Sequence, residues 1–408
     1  MVPTRASERA AVITGLGVVS PLGNSFADVA ESLLAGRSGV REIAAAAGAR
    51  AGRQFAAPVM SIPEPTAPGC DDFVSLGRLE QLCLAPAATA FADAAVAEVV
   101  RPQRIGIVLG IGAEQLKAWE LDFLAGGKRV FEPQRSETLV HTLARRLGIA
   151  GPAVAVAAAC ASSGYAMALG RTWLDAGQVD ACLVGGCDIL SPTAIAAFYN
   201  LRALSRRSDD PHRASRPFDR DRDGFVMAEG GAFFMLERRS EAARRGAKVY
   251  GELAGVGMSS DAHHMVTPCS DPTEAARAIT LALADAGIEP ADVDYVNAHA
   301  AGTPVGDAAE AGAIRLAFGK AADTIPVSST KSMSGHLVSG AAAFEAVACL
   351  AAMQREAVPP TVNLDAVDPA CTLDHVPHTA RPHRVRVAAS NSFGFGGANL
   401  CLVLRKAA

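Results

Sequence analysis

Aromatic residues, clustered positive charge and paired cysteines are all scarce in this chain of 408 residues. Aromatic side chains make up 5% of it, and the formal net charge is -4 at pH 7. A nucleic-acid-binding protein usually carries a dense basic face, so this charge balance excludes a strong nucleic-acid footprint. The nine cysteines stand at irregular spacing without a Cys-x-x-Cys pair, which indicates neither a disulfide framework nor a zinc site. Such cysteine use fits a reducing cytoplasm.

The sequence also lacks a clear signal for export or membrane insertion. The residues before the first predicted strand carry charge but no apolar stretch of signal-peptide length. Residues 147–170 contain no charge, yet their Ala, Gly and Ser content, with Pro152 among them, makes them too weakly apolar to span a bilayer. We therefore expect a cytoplasmic protein without a membrane partner.

Apolar residues make up 50% of the chain and fall into segments that alternate between strand and helix patterns. Near Lys248 the order of these segments starts again. Residues 249–262 echo 11–23, which open with a predicted strand at 11–19. The other echoes are 293–302 for 104–112, 325–346 for 153–170, and 385–404 for 180–189. We predict two stacked α/β halves, residues 1–246 and 247–408, each a mostly parallel sheet with helices on both faces.

The first half is organised around Cys160, between a predicted buried strand at 153–157 and a small-residue helix at 162–176. A tight strand-to-helix turn of this kind displays a nucleophile. The free N–H groups at the start of the helix would lower the thiol pKa from about 8.5 towards neutrality. A small buried core cysteine is the alternative that this segment alone leaves open.

Three further segments carry candidate functional residues, and each is weak alone because a core histidine or core phenylalanines would explain it. They are NAHAAGTP at 297–304 followed by Glu310, KSMSGH at 331–336, and NSFGFGGAN at 391–399. Together with Cys160 and ASRPFDRDRDGF at 214–225, they closely resemble the β-ketoacyl-acyl-carrier-protein synthases of the condensing-enzyme family, in the branch with a Cys-His-His triad. The resemblance extends over nearly the whole chain.

The resemblance implies a thiolase-like fold, in which two pseudo-repeated halves stack as a five-layered αβαβα sandwich. It implies that Cys160 carries the acyl group, that His299 and His336 act on the extender unit, and that Lys331 and Glu310 support them as a charged pair. The backbone N–H groups of Cys160 and Phe395 would form the oxyanion hole. The gating loop would consist of Phe393, Gly394, Phe395, Gly396 and Gly397.

The chemistry of condensation supports these roles independently. A condensing enzyme accepts an acyl group, generates a carbanion from a malonyl thioester by loss of carbon dioxide, and joins the two. Decarboxylation abstracts no proton, so it requires donors that stabilise an enolate oxygen, and two neutral histidines provide them. We expect neither a metal nor another cofactor, because the substrates are carried on the phosphopantetheine of an acyl carrier protein.

The chain departs from the family pattern where the extender arm is expected to bind. Ala301 and Val266 replace residues that usually carry hydroxyl groups in relatives, so only Thr303 remains of the usual polar set. Ile111 and Glu114 lie on a segment that lines the acyl tunnel in relatives, where a carboxylate is unexpected.

Two kinds of protein partner follow from the sequence. Arg206 and Arg207 are candidate docking residues for the acidic carrier protein, because clustered cations steer acidic partners. Strand 153–157 is apolar on both faces, and in the family it pairs with its counterpart across a twofold axis. An unpaired edge of this composition would aggregate, so we predict a homodimer, with a heterodimer to a chain-length-factor-like subunit as the alternative.

Other functions remain open at this point. An inactive ketosynthase-like subunit would lack the nucleophile that Cys160 supplies. A thiolase-like acyltransferase would need a second catalytic cysteine beside a late glycine, and a hydrolase would need an adjacent general base. The acyl chain itself is left open between a fatty acid, an aromatic polyketide and a polyene.

Overall fold

The computed structural model describes residues 10–43, 54–67, 69–127 and 138–407. The described helices are α1 (Phe26–Leu34), α2 (Arg78–Ala94), α3 (Ala113–Leu124), α4 (Leu139–Arg146), α5 (Ser162–Asp175), α6 (Pro192–Asn200), α7 (Arg239–Arg244), α8 (Thr273–Ala286), α9 (Pro304–Phe318), α10 (Lys331–Ser334) and α11 (Ala341–Arg355). The described strands are β1 (Ala11–Val19), β2 (Arg41–Ile43), β3 (Gln54–Ala56), β4 (Ile105–Gly110), β5 (Ala153–Val156), β6 (Ala181–Asp188), β7 (Gly230–Arg238), β8 (Gly251–Ser260), β9 (Tyr295–Asn297), β10 (Pro326–Ser328), β11 (Ala357–Val358), β12 (Asp374–His375), β13 (Arg381–Pro382), β14 (Val387–Gly394) and β15 (Ala398–Lys406).

Eleven of these strands form one continuous sheet in the order β5-β4-β6-β7-β1-β8-β15-β14-β9-β10-β12. The two halves have the same strand order when each is followed outward from the centre of the sheet: β1-β7-β6-β4-β5 in the first half and β8-β15-β14-β9-β10 in the second. In each half the two inner pairs are antiparallel and the two outer pairs are parallel. The predicted repeat is confirmed, whereas the expectation of mostly parallel sheets was wrong. Short returns, such as the hairpin between β14 and β15, produce antiparallel pairs.

Helices cover both outer faces of the sheet and fill the space between its halves. α2 packs on β1, β6 and β7 at one outer face, and α8 packs on β8 and β15 at the other, with α9 beside it. Between the halves, α5 contacts β4 and β6 while α11 contacts β7, β14 and β15. These contacts give the layer order αβαβα, as predicted. The division at residues 246 and 247 stays a prediction.

The central layer depends on small side chains. α11 is buried from Ala341 to Met353, as expected for a helix that is apolar on all sides. A Cβ atom on Gly164 of α5 would lie 2.1 Å from Leu400 Cδ2 and 3.1 Å from Ala342 Cβ. Close approach of α5 and α11 therefore requires glycine at this position.

β5 lies at one end of the sheet and pairs only with β4 among the described strands. We expected a strand buried on both faces, yet Val154 is 37% exposed in the single chain. The strand thus presents an apolar, unpaired edge.

Cys83 on α2 and Cys187 on β6 form a disulfide, with a Cα–Cα distance of 5.9 Å. The expectation that the cysteines would not pair was therefore wrong at this place. The two residues are 104 positions apart, and only the packing of α2 on the sheet brings them together. Within the described ranges, no helix combines the length and apolar character needed to cross a membrane.

Candidate active site

Cys160 stands on the predicted turn between β5 and α5. Ala159, directly before it, has a φ of 48°, in the left-handed region that residues other than glycine rarely adopt. Ser162 Oγ accepts a hydrogen bond from Ala158 N at 2.9 Å and donates one to Ala159 O at 2.7 Å. These bonds hold the tight turn, at which Cys160 is 7% exposed.

His336 follows α10 in the second half, at the position that corresponds to the Cys160 turn. Its Nε2 lies 3.0 Å from Cys160 Sγ. The His336 backbone donates to Val226 O at 2.8 Å and accepts from Ala228 N at 2.9 Å. The predicted meeting of the two equivalent turns is therefore confirmed, and His336 is held rigidly beside the thiol.

His299 follows β9 and lies beside His336, with 5.4 Å between the ring centres. Its backbone N–H donates to Glu310 Oε1 at 2.8 Å, and Ala300 N donates to Glu310 Oε2 at 2.6 Å. Asn391 Nδ2 on β14 also donates to Glu310 Oε1, at 3.0 Å. Glu310 thus fixes the strand end that presents His299.

Lys331 forms a buried ion pair with Glu345 on α11. Its Nζ lies 3.4 Å from His299 Nδ1. The predicted Lys331–Glu310 pair was wrong, because Glu310 is engaged by two backbone N–H groups and an amide. Sequence reasoning missed Glu345. The available signal was a lone carboxylate in an apolar helix, since a buried charge needs a partner.

Burial and the nearby Lys331 hold the pKa values of His299 and His336 well below the usual range. Both imidazoles are therefore neutral at neutral pH, and each carries one N–H donor. Burial raises the pKa values of Glu310 and Glu345 to about 7. The positive charge of Lys331 opposes this rise in pKa for both carboxyl groups.

The thiol itself departs from the sequence-based expectation. Burial raises the pKa of Cys160 to about 12, although Lys331 and the backbone N–H of Phe395 favour the thiolate. The lowering of the thiol pKa that the helix start predicted was therefore wrong, because desolvation outweighs the effect of the α5 N-terminus. Cys160 rests as a thiol, so its proton must leave during attack.

The Gly-rich loop joins β14 to β15 directly above Cys160. A Cβ atom on Gly394 would lie 2.8 Å from Ala158 O and 3.3 Å from Cys160 N, so only glycine fits against the turn. Gly396 and Gly397 have φ values of 84° and 77°. The Phe395 backbone N–H points at the Cys160 sulfur, where an oxyanion hole is predicted. The gating movement of the loop stays a prediction.

A cavity at the junction of the two halves brings most of the predicted residues together. Those that line it are Cys160, Val266, His299, Ala301, Thr303, Glu310, His336, Phe393, Gly394, Phe395 and Gly397. Several further lining residues were not identified from the sequence, among them Phe198, Arg202 and Cys269. The two segments that carry these residues, around α6 and after β8, gave no sequence motif for these positions.

Ile111 and Glu114 do not line this cavity. Ile111 is buried, and its N–H donates to Val156 O at 3.0 Å. Glu114 Oε1 accepts from Leu139 N at 2.7 Å, at the first residue of α4. The unexpected carboxylate is thus explained as a helix N-terminal cap, where a negative charge is stabilising.

The two docking candidates differ in their surroundings. Arg206 is exposed, and its guanidinium carbon lies 5.7 Å from the centre of the Tyr199 ring. Arg207 donates to Asp221 O at 2.7 Å and lies 3.9 Å from Asp223. Arg207 is therefore partly engaged within its own loop, whereas Arg206 faces solvent.

The Arg- and Asp-rich loop at 205–225 supports Thr303 through Arg222. Asp307 Oδ1 accepts from Gly302 N and Thr303 N, both at 3.1 Å, and Arg222 donates to Thr303 O at 3.1 Å and Pro304 O at 2.7 Å. Arg222 and Asp307 are both buried. They fix the turn that presents the remaining threonine to the cavity.

Comparison with known proteins identifies the family of this chain. The model of the β-ketoacyl synthase N-terminal domain matches residues 8–242, and that of the C-terminal domain matches residues 250–365. The chain belongs to the β-ketoacyl synthase family of condensing enzymes. A 3-oxoacyl-[acyl-carrier-protein] synthase 2 of Synechocystis is 38% identical over 405 residues, covering 97% of both chains. A putative polyketide β-ketoacyl synthase 1 of Streptomyces halstedii is 38% identical over 415 residues, covering 97% of this chain and 98% of the relative.

Solved structures agree with the thiolase-like fold. A β-ketoacyl synthase from Burkholderia phymatum superposes with a TM-score of 0.87 at 34% identity, covering 98% of this chain and all of the other. The ishigamide ketosynthase/chain length factor gives a TM-score of 0.86 at 32% identity, with the same coverage. The chain is thus an acyltransferase-type condensing enzyme.

Replacing Lys331 by methionine is expected to change the pH dependence of malonyl decarboxylation. Lys331 lowers the pKa of both histidines, so its removal raises those pKa values. Protonated histidines cannot stabilise an enolate in the same way, and activity falls as pH falls through their pKa. The acid limb of the pH profile should therefore move to higher pH in Lys331→Met.

Release of carbon dioxide between pH 5 and 8 measures this shift. Lys331→Met combined with Glu345→Gln avoids a buried unpaired carboxylate, and Lys320→Met, at an exposed site, is the control. Superimposable profiles for the wild type and the double variant would contradict the electrostatic role of Lys331.

Proposed function

We propose that this chain catalyses the decarboxylative Claisen condensation of an acyl group on Cys160 with a malonyl unit on an acyl carrier protein. One observation carries the proposal: Cys160 Sγ lies 3.0 Å from His336 Nε2, and the His299 ring centre lies 5.4 Å from that of His336. A nucleophile beside two neutral imidazoles suits acyl transfer followed by decarboxylation.

Acyl transfer begins when Cys160 Sγ attacks the carbonyl carbon of the acyl thioester. The bond from this carbon to the pantetheine sulfur breaks, and the Cys160 proton ends on the departing sulfur. His336 Nε2 is close enough to Sγ to relay that proton. The backbone N–H groups of Cys160 and Phe395 stabilise the negative charge on the carbonyl oxygen.

Condensation begins when the malonyl thioester binds with its carbonyl oxygen towards His299 and His336. Carbon dioxide leaves, and the electron pair of the broken bond forms an enolate that accepts hydrogen bonds from the imidazole N–H groups. The α carbon then attacks the acyl carbonyl on Cys160. As the new carbon–carbon bond forms, the bond to Cys160 breaks, and the released thiolate takes up a proton from the solvent.

Fatty-acid and polyketide assembly are the two pathways that the relatives suggest. A solved structure with a TM-score of 0.86 at 31% identity is titled as a type II acyl-carrier protein in complex with its ketosynthase bound to the hexaketide. We propose an acyl carrier protein as the partner that delivers substrates in the cytoplasm, with the exposed Arg206 as a docking cation. The reaction as written uses no metal or other cofactor.

A direct test combines the purified chain with an acyl carrier protein in acyl and malonyl forms. Mass spectrometry should find the acyl group on the peptide that contains Cys160, and carbon dioxide and a 3-oxoacyl product should form in equal amounts. Loading with acyl chains of increasing length would identify the natural primer. Absence of both loading and carbon dioxide release would refute the proposal.

The chain is expected to form a homodimer. The free edge of β5 is apolar and half exposed, and an edge of this kind is stabilised by pairing with a second strand. α3 adds exposed apolar side chains, among them Phe123 at 79% and Leu124 at 72%. A heterodimer is the alternative, because one structural neighbour is titled as a ketosynthase in complex with its chain length factor.

Sedimentation of the purified chain at micromolar concentration measures this state. Val154→Lys, which places a charge on the free edge, should shift the protein towards monomer or aggregate, whereas Leu316→Lys, at an exposed site on α9, is the matched control. An active wild-type monomer would contradict both forms. Insolubility that a co-expressed partner relieves would favour the heterodimer.

A further inference from the structure

A buried carboxylate outside the cavity, that of Glu120, connects α3 with the start of α6. Glu120 on α3 is 4% exposed, and Lys117 Nζ donates to its Oε2 at 2.6 Å. Its Oε1 accepts from Ser191 Oγ at 2.9 Å, Thr193 N at 3.1 Å and Thr193 Oγ1 at 3.2 Å. A carboxylate supplied by one helix therefore caps the N-terminus of another, where negative charge is favourable.

α6 is held mainly at its N-terminus, where Ser191 Oγ also accepts from Ala194 N at 3.3 Å, and along one face. It is nine residues long, too short to be stable by itself, and Ala194 is its one buried residue. Most of its remaining surface faces solvent. One face packs in a small apolar cluster that includes Leu116 of α3. α3 thus holds α6 both through Glu120 and through this contact.

α6 carries Phe198, which forms part of the cavity wall. Its ring centre lies 5.9 Å from that of Phe395 in the Gly-rich loop and 5.2 Å from that of Phe225. Phe225 in turn lies 5.2 Å from the His336 ring. Hydrogen bonds on both sides of Phe225, from its N–H to Ala203 O and from Ser205 N to its carbonyl, fix that residue at 2.9 Å each. Phe198 lies on α6, and its carbonyl accepts a hydrogen bond from Ala203 N at 3.0 Å, so α6 and this bond position it together.

We propose that Glu120 is a positioning residue for the cavity beside Cys160: by anchoring the N-terminus of α6, it holds Phe198 against Phe395 and Phe225. Glu120 does not itself line the cavity. The inference rests on the proposed condensing activity and identifies what sets one wall of its binding site. Acyl chains long enough to contact Phe198 should depend on Glu120, whereas an acetyl group should not.

Glu120→Gln removes the charge that holds Lys117 and the three donor groups of Ser191 and Thr193. We expect kcat/KM to fall about tenfold or more for a long acyl thioester, because small displacements of a binding wall misplace the reacting atoms. For an acetyl thioester the change should be less than about twofold. Glu241→Gln, which removes an exposed pair with Arg244 at the same i,i+3 spacing, is the control and should leave both values unchanged.

A double-mutant cycle with Phe198→Ala separates positioning from general stability. If Glu120 acts through Phe198, Glu120→Gln should have little further effect on long-chain kcat/KM in the Phe198→Ala background, while its lowering of Tm should persist there. Equal losses of kcat/KM in both backgrounds, or wild-type values for every chain length, would overturn the inference.

A second variant and the behaviour of the wild type complete the test. Lys117→Met is the milder variant if Glu120→Gln fails to fold, because Lys117 is already 30% exposed, and it should shift the chain-length preference in the same direction. An unchanged preference in a folded Lys117→Met would also overturn the inference. Wild-type protein that neither loads acyl groups nor releases carbon dioxide would refute the proposed function and this inference together.

Discussion

Replacing Cys160 by alanine is expected to abolish covalent acyl loading and, with it, condensation. The sulfur is the one nucleophilic atom in contact with His336 Nε2 in the described cavity, and it lies under the Phe395 N–H. Loss of a covalent nucleophile typically slows turnover by at least roughly a thousandfold. Intact-mass measurement after incubation with an acyl carrier protein in its acyl form reads the loading directly.

Cys269→Ala is the matched control, because Cys269 is the other free cysteine among the described residues that line the cavity. It is more exposed than Cys160 and has no such contact with a histidine. Loading should therefore persist in Cys269→Ala. Acyl loading of Cys160→Ala at the wild-type rate would overturn the assignment of the nucleophile.

Cys160→Gln is expected to separate the two half reactions. Its side-chain amide resembles an acyl thioester in shape and leaves His299 and His336 in place, so slow malonyl decarboxylation should continue without condensation. Carbon dioxide release with no 3-oxoacyl product is the expected signature. Loss of both products in a folded Cys160→Gln would contradict the division of roles.

The second large effect is expected from His299→Ala and His336→Ala, each of which should impair decarboxylation more than acyl transfer. A hydrogen-bond donor matters most where negative charge develops, and removal of one such donor costs on the order of a hundredfold or more, about 3 kcal/mol. His336 also contacts Cys160 Sγ, so we expect His336→Ala to slow acyl transfer more than His299→Ala does.

Carbon dioxide release from malonyl carrier protein measures decarboxylation, and single-turnover loading of Cys160 measures acyl transfer. His336→Asn and His299→Asn keep an N–H donor and should lose less decarboxylation than the alanine variants. His263→Ala, at an exposed position in the loop next to the cavity, is the control. Normal decarboxylation in either alanine variant would refute the proposed role of that histidine.

Sequence alone placed the main features of the fold correctly and brought Cys160 and His336 together. β1 has the bounds that the apolar run predicted, and β5, α5 and Cys160 lie on the expected strand, helix and turn. These features are local, because apolar periodicity and glycine spacing report directly on the backbone of a single segment. The repeat then aligned the turns of Cys160 and His336, which placed the two side chains together.

Other predictions failed where a property depends on distant parts of the chain. Lys331 pairs with Glu345 instead of Glu310, Glu114 caps α4 instead of lining the cavity, and Cys83 bonds to Cys187. In each case, packing between layers brings the partner into contact. Neither the spacing nor the chemistry of a segment specifies which partner that will be.

The amino-acid sequence by itself determined which residues can react and in which order the strands and helices follow, since both depend on residue type and local pattern. The tertiary structure alone decided the state of those residues. Burial raises the pKa of Cys160 to about 12 and keeps His299 and His336 neutral beside Lys331. Desolvation and the pairing of buried charges are set by atoms that are distant in sequence, so they arise only when the two halves are packed together.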